Sequence, residues 1–406
     1  MTPWEWSMAA VILGPILAVI AMWFLTREQA QATSAVLFLA TGTTGVLACG
    51  YGITATEPFL LPTDLFFQMV ATFDKFSAMF FFPFALIVAA LGVRWYAQRN
   101  ATPRAMLQVV GAALMMIGTT WALLSTNILG IIAALTAIAC GEACLSFITV
   151  RLVVLRSIGV MGIAVGLFVL SSGALFNDFA TLAYIAAELD PARVVGAYIA
   201  LLLGVVVLSG GWPFSYIMTK HASTMVAGAE RALMRSVYVI VPLYLFIRAL
   251  LFILPPLTLW FAIPVSAIGV LTMLSATHVA SKRRAWSDTT FVFGVGVTLF
   301  MLSSAMVFQA LGMFEAMNVT LFATILHIIG IVLAGAVEEF APNADGARER
   351  IAVNVSLLAL PPSVLFVSVW MFVSSVVVQS SALPKPLAMW FTIGTVFFLG
   401  AHVLRG

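Results

Sequence analysis

Charged residues are scarce in this sequence. Asp, Glu, Lys and Arg together make up 9% of the 406 residues, whereas they make up about a quarter of an ordinary soluble domain. Hydrophobic residues account for 63%, and a water-soluble fold has too little interior to bury that much apolar surface. The composition therefore excludes a water-soluble globular protein and predicts a protein that lies within a lipid bilayer.

The sequence is also poor in residues that build disulfide, metal or catalytic sites. Only three cysteines occur, Cys49, Cys140 and Cys144, all in apolar runs and without His or further Cys partners. This pattern predicts buried free thiols and neither a disulfide framework nor a metal site. The sequence has no phosphate loop, dinucleotide fingerprint, nucleophile elbow or nucleic-acid-binding face. We therefore expect no catalytic site, no bound cofactor and no nucleic-acid partner.

Apolar runs recur from one end of the chain to the other. Each is about 20 residues long, enough to cross a hydrocarbon core of about 30 Å. The runs are apolar on every face, whereas the strands of a membrane barrel alternate apolar and polar residues. Helices satisfy their own backbone hydrogen bonds inside lipid. The predicted fold class is therefore all-α, a polytopic transmembrane helix bundle that forms a single transmembrane domain over residues 1–406.

About thirteen helices are predicted, near 7–25, 33–55, 72–95, 105–125, 127–150, 153–175, 194–218, 226–250, 254–277, 289–311, 315–337, 351–379 and 386–404. Fourteen of the nineteen Lys and Arg residues, Arg151 and Arg156 among them, fall in or beside the odd-numbered loops. Only Lys75, Arg193 and Lys385 fall beside the even-numbered loops. Because cytoplasmic loops accumulate Lys and Arg, we expect the N-terminus outside and the C-terminus in the cytoplasm.

Two predicted helices contain backbone breaks, formed by Gly210, Gly211 and Pro213 in the seventh and by Pro361 and Pro362 in the twelfth. Proline removes a backbone donor and clashes with the preceding turn, so we expect both helices to be discontinuous. The breaks lie five helices apart, which matches two inverted five-helix repeats at about 105–250 and 254–404. The alternative is that glycine and proline are simply more common in membrane helices.

Several short motifs resemble, in order, the signatures of a known family. They are Phe73-Asp74-Lys75-Phe76-Ser77; Trp212-Pro213-Phe214 after Gly210; Tyr244 with Arg248; His327 followed by Ala334-Gly335-Ala336-Val337; and Ala359-Leu360-Pro361-Pro362 with Phe366, Ser368 and Trp370. The sequence is similar in these fragments to the antiporter-like membrane subunits of respiratory complex I, of multisubunit cation/proton antiporters and of membrane-bound hydrogenases. The motifs span about residues 70 to 375.

The resemblance implies a proton channel built around a central row of charged residues. Charges at this depth cost at least about 2.5 to 3.5 kcal/mol each, so they persist where function requires them. At the matching positions this sequence has uncharged residues: Thr136 in the fifth helix, Leu208 in the seventh, Ile240 or Val239 in the eighth and Val369 in the twelfth. Only His327 keeps a titratable group where the family has a lysine.

Three ionisable residues remain candidates for a proton relay: Glu142, His327 and Arg248. Glu142 lies six residues beyond Thr136, about 600° around the helix, so it does not face the same way. Each candidate also has a structural interpretation. Glu142 could pair with Arg151 near the interface, His327 could be a hydrogen-bonded packing residue, and Arg248 could extend its guanidinium to the membrane surface.

The sequence thus predicts a membrane subunit of a complex-I-like or antiporter-like multisubunit assembly, in a bacterial-type inner (cytoplasmic) membrane. We expect a degenerate proton-translocation module with a scaffolding role. Its expected partners are other membrane subunits, lipid and a soluble cytoplasmic protein. The polar segment 338–346 is either a docking surface for that protein or a solvated connector. One alternative is a proton- or cation-translocating subunit that uses Glu142 and His327. Another is a stand-alone secondary transporter that binds a small neutral solute at the helix breaks.

Overall fold

The computed structural model describes residues 3–55, 59–61, 71–97, 105–145, 150–174, 178–215, 228–249, 258–283, 286–340, 363–379 and 381–405. The helices in these ranges are α1 (Pro3–Phe24), α2 (Arg27–Thr54), α3 (Lys75–Ala97), α4 (Ala105–Leu124), α5 (Ile128–Leu145), α6 (Val150–Leu170), α7 (Phe179–Glu188), α8 (Pro191–Ser209), α9 (Ala229–Ile247), α10 (Thr258–Arg283), α11 (Trp286–Ala310), α12 (Phe314–Phe340), α13 (Val364–Gln379) and α14 (Lys385–Arg405). Two three-residue strands, β1 (Phe59–Leu61) and β2 (Ala71–Phe73), pair antiparallel.

The chain is a polytopic membrane protein, as its composition predicts. Ten of the described helices are long and apolar enough to cross a bilayer, and Val364–Gln379 is a shorter apolar helix. Each of the predicted helices overlaps a helix of the structure. The additional helix, α7, has 10 residues and is too short to give a spanning signal. Its start is fixed by Asp178, whose side chain accepts a hydrogen bond from the Thr181 backbone N–H at 2.7 Å.

The chain folds into two compact units. The first comprises Met1–Gly204 and Met225–Tyr244, and the second comprises Val205–Thr224 and Leu245–Gly406. The single domain over 1–406, with repeats at about 105–250 and 254–404, stays a prediction.

The predicted break within the seventh helix is present. Helix α8 ends at Ser209, and Gly210 follows with a φ of 76°, a conformation that glycine adopts without steric cost. The Gly211 N–H bonds back to the Val206 carbonyl at 2.8 Å, which closes the helix end. The next donor, Trp212 N–H, bonds to the Thr272 hydroxyl at 2.8 Å. The second predicted break, Pro361 and Pro362, lies outside the described residues.

Glycines let neighbouring helices approach closely within each unit. In the first unit a Cβ on Gly141 of α5 would lie 2.7 Å from the carbonyl oxygen of Gly111 on α4. In the second unit a Cβ on Gly296 of α11 would lie 2.8 Å from the carbonyl oxygen of Gly269 on α10. Lipid tails are as apolar as the helices, so association rests on such close van der Waals packing.

The three cysteines are free thiols. Cys49 is buried as expected, whereas Cys144 is only partly buried and Cys140 is exposed. The expectation of buried thiols is therefore wrong for Cys140, because this residue lies on the outward face of α5 while Gly141 and Glu142 face inward.

Replacing Gly296 by Ala should destabilise the second unit by about 1 to 3 kcal/mol, because the new Cβ meets backbone atoms that cannot move away cheaply. The matched control is Gly50→Ala, since a Cβ at Gly50 of α2 meets nothing within 4 Å. Thermal unfolding in detergent should show a lowered midpoint for Gly296→Ala and an unchanged or raised midpoint for Gly50→Ala. Equal midpoints for the two variants would contradict the close approach of α10 and α11.

Candidate functional site

The first unit contains a buried ion pair between α5 and α6. Arg156 Nε lies 3.0 Å from Glu142 Oε2, and Arg156 Nη2 lies 3.3 Å from Glu142 Oε1. Both carboxylate oxygens are thus bound by one guanidinium, the forked geometry that arginine presents to carboxylates. The exposed fraction is 1% for Glu142 and 8% for Arg156. The pair is therefore shielded from solvent and lipid alike.

Tyr238 on α9 completes this cluster. Its hydroxyl donates a hydrogen bond to Glu142 Oε2. The centroid of its ring lies 3.3 Å from Arg156 Cζ. The phenol therefore binds the carboxylate through its O–H and contacts the guanidinium through the π face of its ring. We call Glu142, Arg156 and Tyr238 the triad. It joins three helices of the first unit and combines one negative and one positive charge.

The helix faces explain why these side chains meet. Along α5 the buried residues recur at helical spacing through Ile131, Leu135, Ile138 and Glu142. Glu142 thus continues an apolar inward face. Thr136 is exposed, and its hydroxyl donates a hydrogen bond to the Ile132 carbonyl of the same helix at 2.8 Å. The two residues face differently, as their spacing in the sequence indicates.

Arg156 has a different environment from the one that its position in the sequence suggested. It was counted with the basic residues beside a cytoplasmic loop, but its side chain is buried against Glu142. The partner considered for Glu142 was Arg151, whose side chain lies outside the described part of the structure. The arginine that the structure pairs with Glu142 is Arg156, the seventh residue of α6.

His327 lies in the second unit, fully buried on α12. Its Nδ1 lies 3.2 Å from the Ser368 hydroxyl of α13. The Ser368 hydroxyl also lies 2.8 Å from the Leu365 carbonyl, to which it can only donate. The serine proton is thus engaged by the backbone carbonyl, so His327 Nδ1 is the donor in its contact with Ser368. Ser368 and His327 come from separate fragments of the family resemblance, and the fold brings the two together.

A second hydroxyl contact extends this seam. The Thr320 and Ser375 hydroxyls lie 2.9 Å apart, two turns from His327 on α12 and two turns from Ser368 on α13. Gly330 packs on Leu365 in the same antiparallel register. The seam of Thr320, His327, Ser368 and Ser375 therefore fixes the registry of two helices in the bundle interior through side-chain hydrogen bonds.

The other family positions hold packed aliphatic side chains. Ile240 and Val239 in the first unit are 0% and 3% exposed, and Leu208 and Val369 in the second unit are 2% and 9% exposed. These side chains neither donate, accept nor titrate. Arg248, the third relay candidate, follows the end of α9 and is half-buried in the second unit. The structure assigns Glu142 to one unit and His327 and Arg248 to the other.

Two further fragments of the resemblance meet beside α9. The Tyr244 hydroxyl donates to the Leu123 carbonyl at 2.7 Å, and the Ser77 hydroxyl lies 2.9 Å from Tyr244. Since the single phenolic proton goes to the carbonyl, Ser77 is the donor to Tyr244. The Phe76 ring stacks on Tyr244 with centroids 5.5 Å apart. Asp74 caps α3 by accepting the Ser77 backbone N–H at 2.7 Å.

A separate buried acid anchors the first turn of α9. Glu230 Oε1 accepts a hydrogen bond from the Trp95 indole of α3 at 2.8 Å, and both side chains are buried. Glu230, Tyr238 and Tyr244 thus give α9 three polar attachments along its length. Among the described residues, no group of three His, Cys, Asp or Glu side chains is arranged to hold a metal ion.

The comparison with solved structures shows the same fold in chains of two known complexes. The chain is similar to a chain of the Mrp complex from Dietzia sp. DQ12-45-1b, with a TM-score of 0.77 and 16% identity, over 100% of this chain and 80% of that one. It is also similar to a chain of the membrane-bound sulfane sulfur reductase, an archaeal respiratory membrane complex. There the TM-score is 0.70 and the identity 14%, over 99% of this chain and 85% of that one.

No protein-family model and no curated protein matches the sequence. The structural likeness to these two chains confirms the fold that the short motifs indicated.

Glu142→Gln should lower the stability of the first unit by about 3 to 5 kcal/mol, because Arg156 is left as an uncompensated buried charge. The double variant Glu142→Leu/Arg156→Met removes both charges and should recover most of that loss. Thermal unfolding in detergent measures both effects. A double variant no more stable than Glu142→Gln would contradict the assignment of the two residues as one ion pair.

Proposed function

We propose that this chain is a membrane subunit of a multisubunit, antiporter-like assembly and that its own proton pathway is interrupted. Its role is then to hold neighbouring subunits in place and to seal the membrane between them. The fold shared with chains of two membrane complexes supports the first part of the proposal. The second part rests on the residues in the bundle interior.

The observation that carries the interruption is the burial of aliphatic side chains at the matching family positions. Leu208, Ile240 and Val369 are at most 9% exposed, so the space is filled by hydrocarbon. A proton moves along hydrogen-bonding groups or water, and a packed aliphatic residue offers neither.

The triad supports the same proposal. Glu142 is the buried acid of α5, yet its two oxygens are bound by Arg156 and Tyr238. To take up a proton it would have to give up a charge-assisted pair and leave Arg156 alone in a buried site. The triad therefore acts as a structural fastening of α5, α6 and α9.

A second candidate function is proton or cation translocation through Glu142 and His327. The seam on α12 and α13 favours it, because His327 and three hydroxyl residues form a line of polar groups in the bundle interior. The alternative is a structural role, because the hydrogen bond between His327 Nδ1 and Ser368 holds α12 against α13. The flux experiment below separates the two functions.

The membrane, the orientation and the partners of the protein are part of the same proposal. We place it in a bacterial-type inner membrane with the N-terminus outside and the C-terminus in the cytoplasm, on the distribution of Lys and Arg. The partners are other membrane subunits and a soluble cytoplasmic protein. Of the segment 338–346 proposed to dock the soluble partner, positions 341–346 lie outside the described residues.

An affinity-tagged chain, solubilised from its native membrane in mild detergent, should co-purify with other multi-span proteins in fixed stoichiometry. Size-exclusion chromatography with mass spectrometry measures this. A chain that purifies alone, stays stable and binds a small solute would instead support the stand-alone transporter.

His327→Ala and the double variant Glu142→Leu/Arg156→Met should leave ion flux of the purified complex within about twofold of the unmodified complex, since neither site carries the transported proton. Proteoliposomes with a pH-sensitive dye report the flux, and subunit stoichiometry checks assembly. Loss of most of the flux in either variant with assembly intact would favour the relay through Glu142 and His327.

A further inference from the structure

Trp370 is an exposed aromatic residue in the interior of a helix. The exposed aromatic side chains at the ends of membrane helices, Trp23 and Phe24 closing α1, Trp260 opening α10 and Phe314 opening α12, occupy the interfacial positions that such residues favour. Trp370 lies inside α13 and is 64% exposed. Its position on the helix therefore calls for a different explanation.

The depth of Trp370 follows from helix geometry. Helix α13 ends at Gln379, and Lys385 opens α14 after a short turn, so two polar residues mark one membrane surface. Trp370 is nine residues from Gln379, about 13 Å along the helix axis. That is about half of a hydrocarbon core of about 30 Å. Trp370 therefore lies near the middle of the bilayer.

The indole N–H of Trp370 makes no hydrogen bond with the described residues, although its ring stacks on Phe366 with centroids 6.3 Å apart. One turn further, the Ser374 hydroxyl also forms no hydrogen bond with them. By contrast, the hydroxyls of Ser368 and Ser375, on the opposite face of α13, are both bonded. Lipid tails contain no acceptor, so an indole donor at this depth is satisfied only by protein.

The residues around Trp370 form a face suited to another helix. Val367, Trp370, Ser374 and Val377 follow one another at spacings of three, four and three residues, the spacing of a helix-packing stripe. Val367 is 44% and Val377 is 62% exposed. We call these four residues the outer face of α13. It combines an aromatic anchor, two branched aliphatic side chains and two unbonded polar groups.

We infer that the outer face of α13 binds a transmembrane helix of a different membrane subunit, which presents a hydrogen-bond acceptor to the Trp370 indole at mid-membrane depth. The acceptor is a backbone carbonyl beside a small residue, or a Ser, Thr, Asn or Gln side chain, because these are the acceptors that membrane helices offer one another. This inference rests on the proposed function, which supplies the other subunit. Buried tryptophans that anchor an interface commonly dominate its binding energy.

A photo-crosslinking amino acid at Val377 tests the contact while Trp370 stays in place. The matched control is the same amino acid at Leu274 of α10, which is 45% exposed and belongs to the same unit. In the purified complex, the label at Val377 should crosslink to one helix of a different membrane subunit, identified by mass spectrometry, and the label at Leu274 should not reach that helix. Crosslinks from Val377 only to lipid, or only to a second copy of this chain, would overturn the inference.

A pair of conservative variants tests the hydrogen bond. Trp370→Phe keeps an aromatic ring and removes the N–H, and it should reduce retention of that subunit by about threefold to tenfold, the range for one hydrogen bond between membrane helices. Trp260→Phe, at the 80% exposed position that opens α10, should leave retention unchanged. Unchanged retention in Trp370→Phe also overturns the inference. If no other subunit co-purifies with the unmodified chain, the proposed function fails instead.

Discussion

An ionised side chain inside a membrane protein has to be paired, and the first unit is organised around this requirement. Glu142 would be costly on an apolar helix face if it stood alone. Arg156 donates hydrogen bonds to both carboxylate oxygens of Glu142. Tyr238 donates a hydrogen bond to one of these oxygens, and its ring packs against the guanidinium. The arrangement needs α5, α6 and α9 in fixed positions, so the same contacts that satisfy the charges also determine how three helices of the unit pack.

That requirement conflicts with proton transfer. A relay needs an acid that can alternate between charged and neutral forms, with a neighbour poised to take the proton. Glu142 is instead held as one half of a salt bridge, and the family positions at Leu208, Ile240 and Val369 are filled with packed aliphatic side chains. In the second unit, the family position at His327 is polar, and its Nδ1 forms a hydrogen bond with Ser368 that joins α12 to α13. These contacts support the proposal that the proton pathway of this subunit is interrupted.

The sequence predicted much of the fold, because apolar length and Gly/Pro breaks are local signals. It located the helices, the break at Ser209 and the order of the family fragments, which the fold then brings together at Tyr244 with Ser77 and at His327 with Ser368. It missed α7, which is too short to give a membrane signal. It also missed the roles of Tyr238 and Arg156. Tyr238 lies 96 residues from Glu142, so the sequence gives no local sign of their contact. Arg156 lies near a helix end, where an arginine is normally a topology determinant. The outward position of Cys140 likewise depends on the rotation of α5, which composition does not reveal.

The proposed interruption is tested most directly by an experimental structure of the assembled complex at a resolution that shows ordered water. We expect aliphatic packing without water around Ile240 and Val369, and a Glu142 carboxylate bound by Arg156 and Tyr238. An unbroken chain of water and titratable side chains crossing this subunit from one membrane face to the other would contradict the interruption.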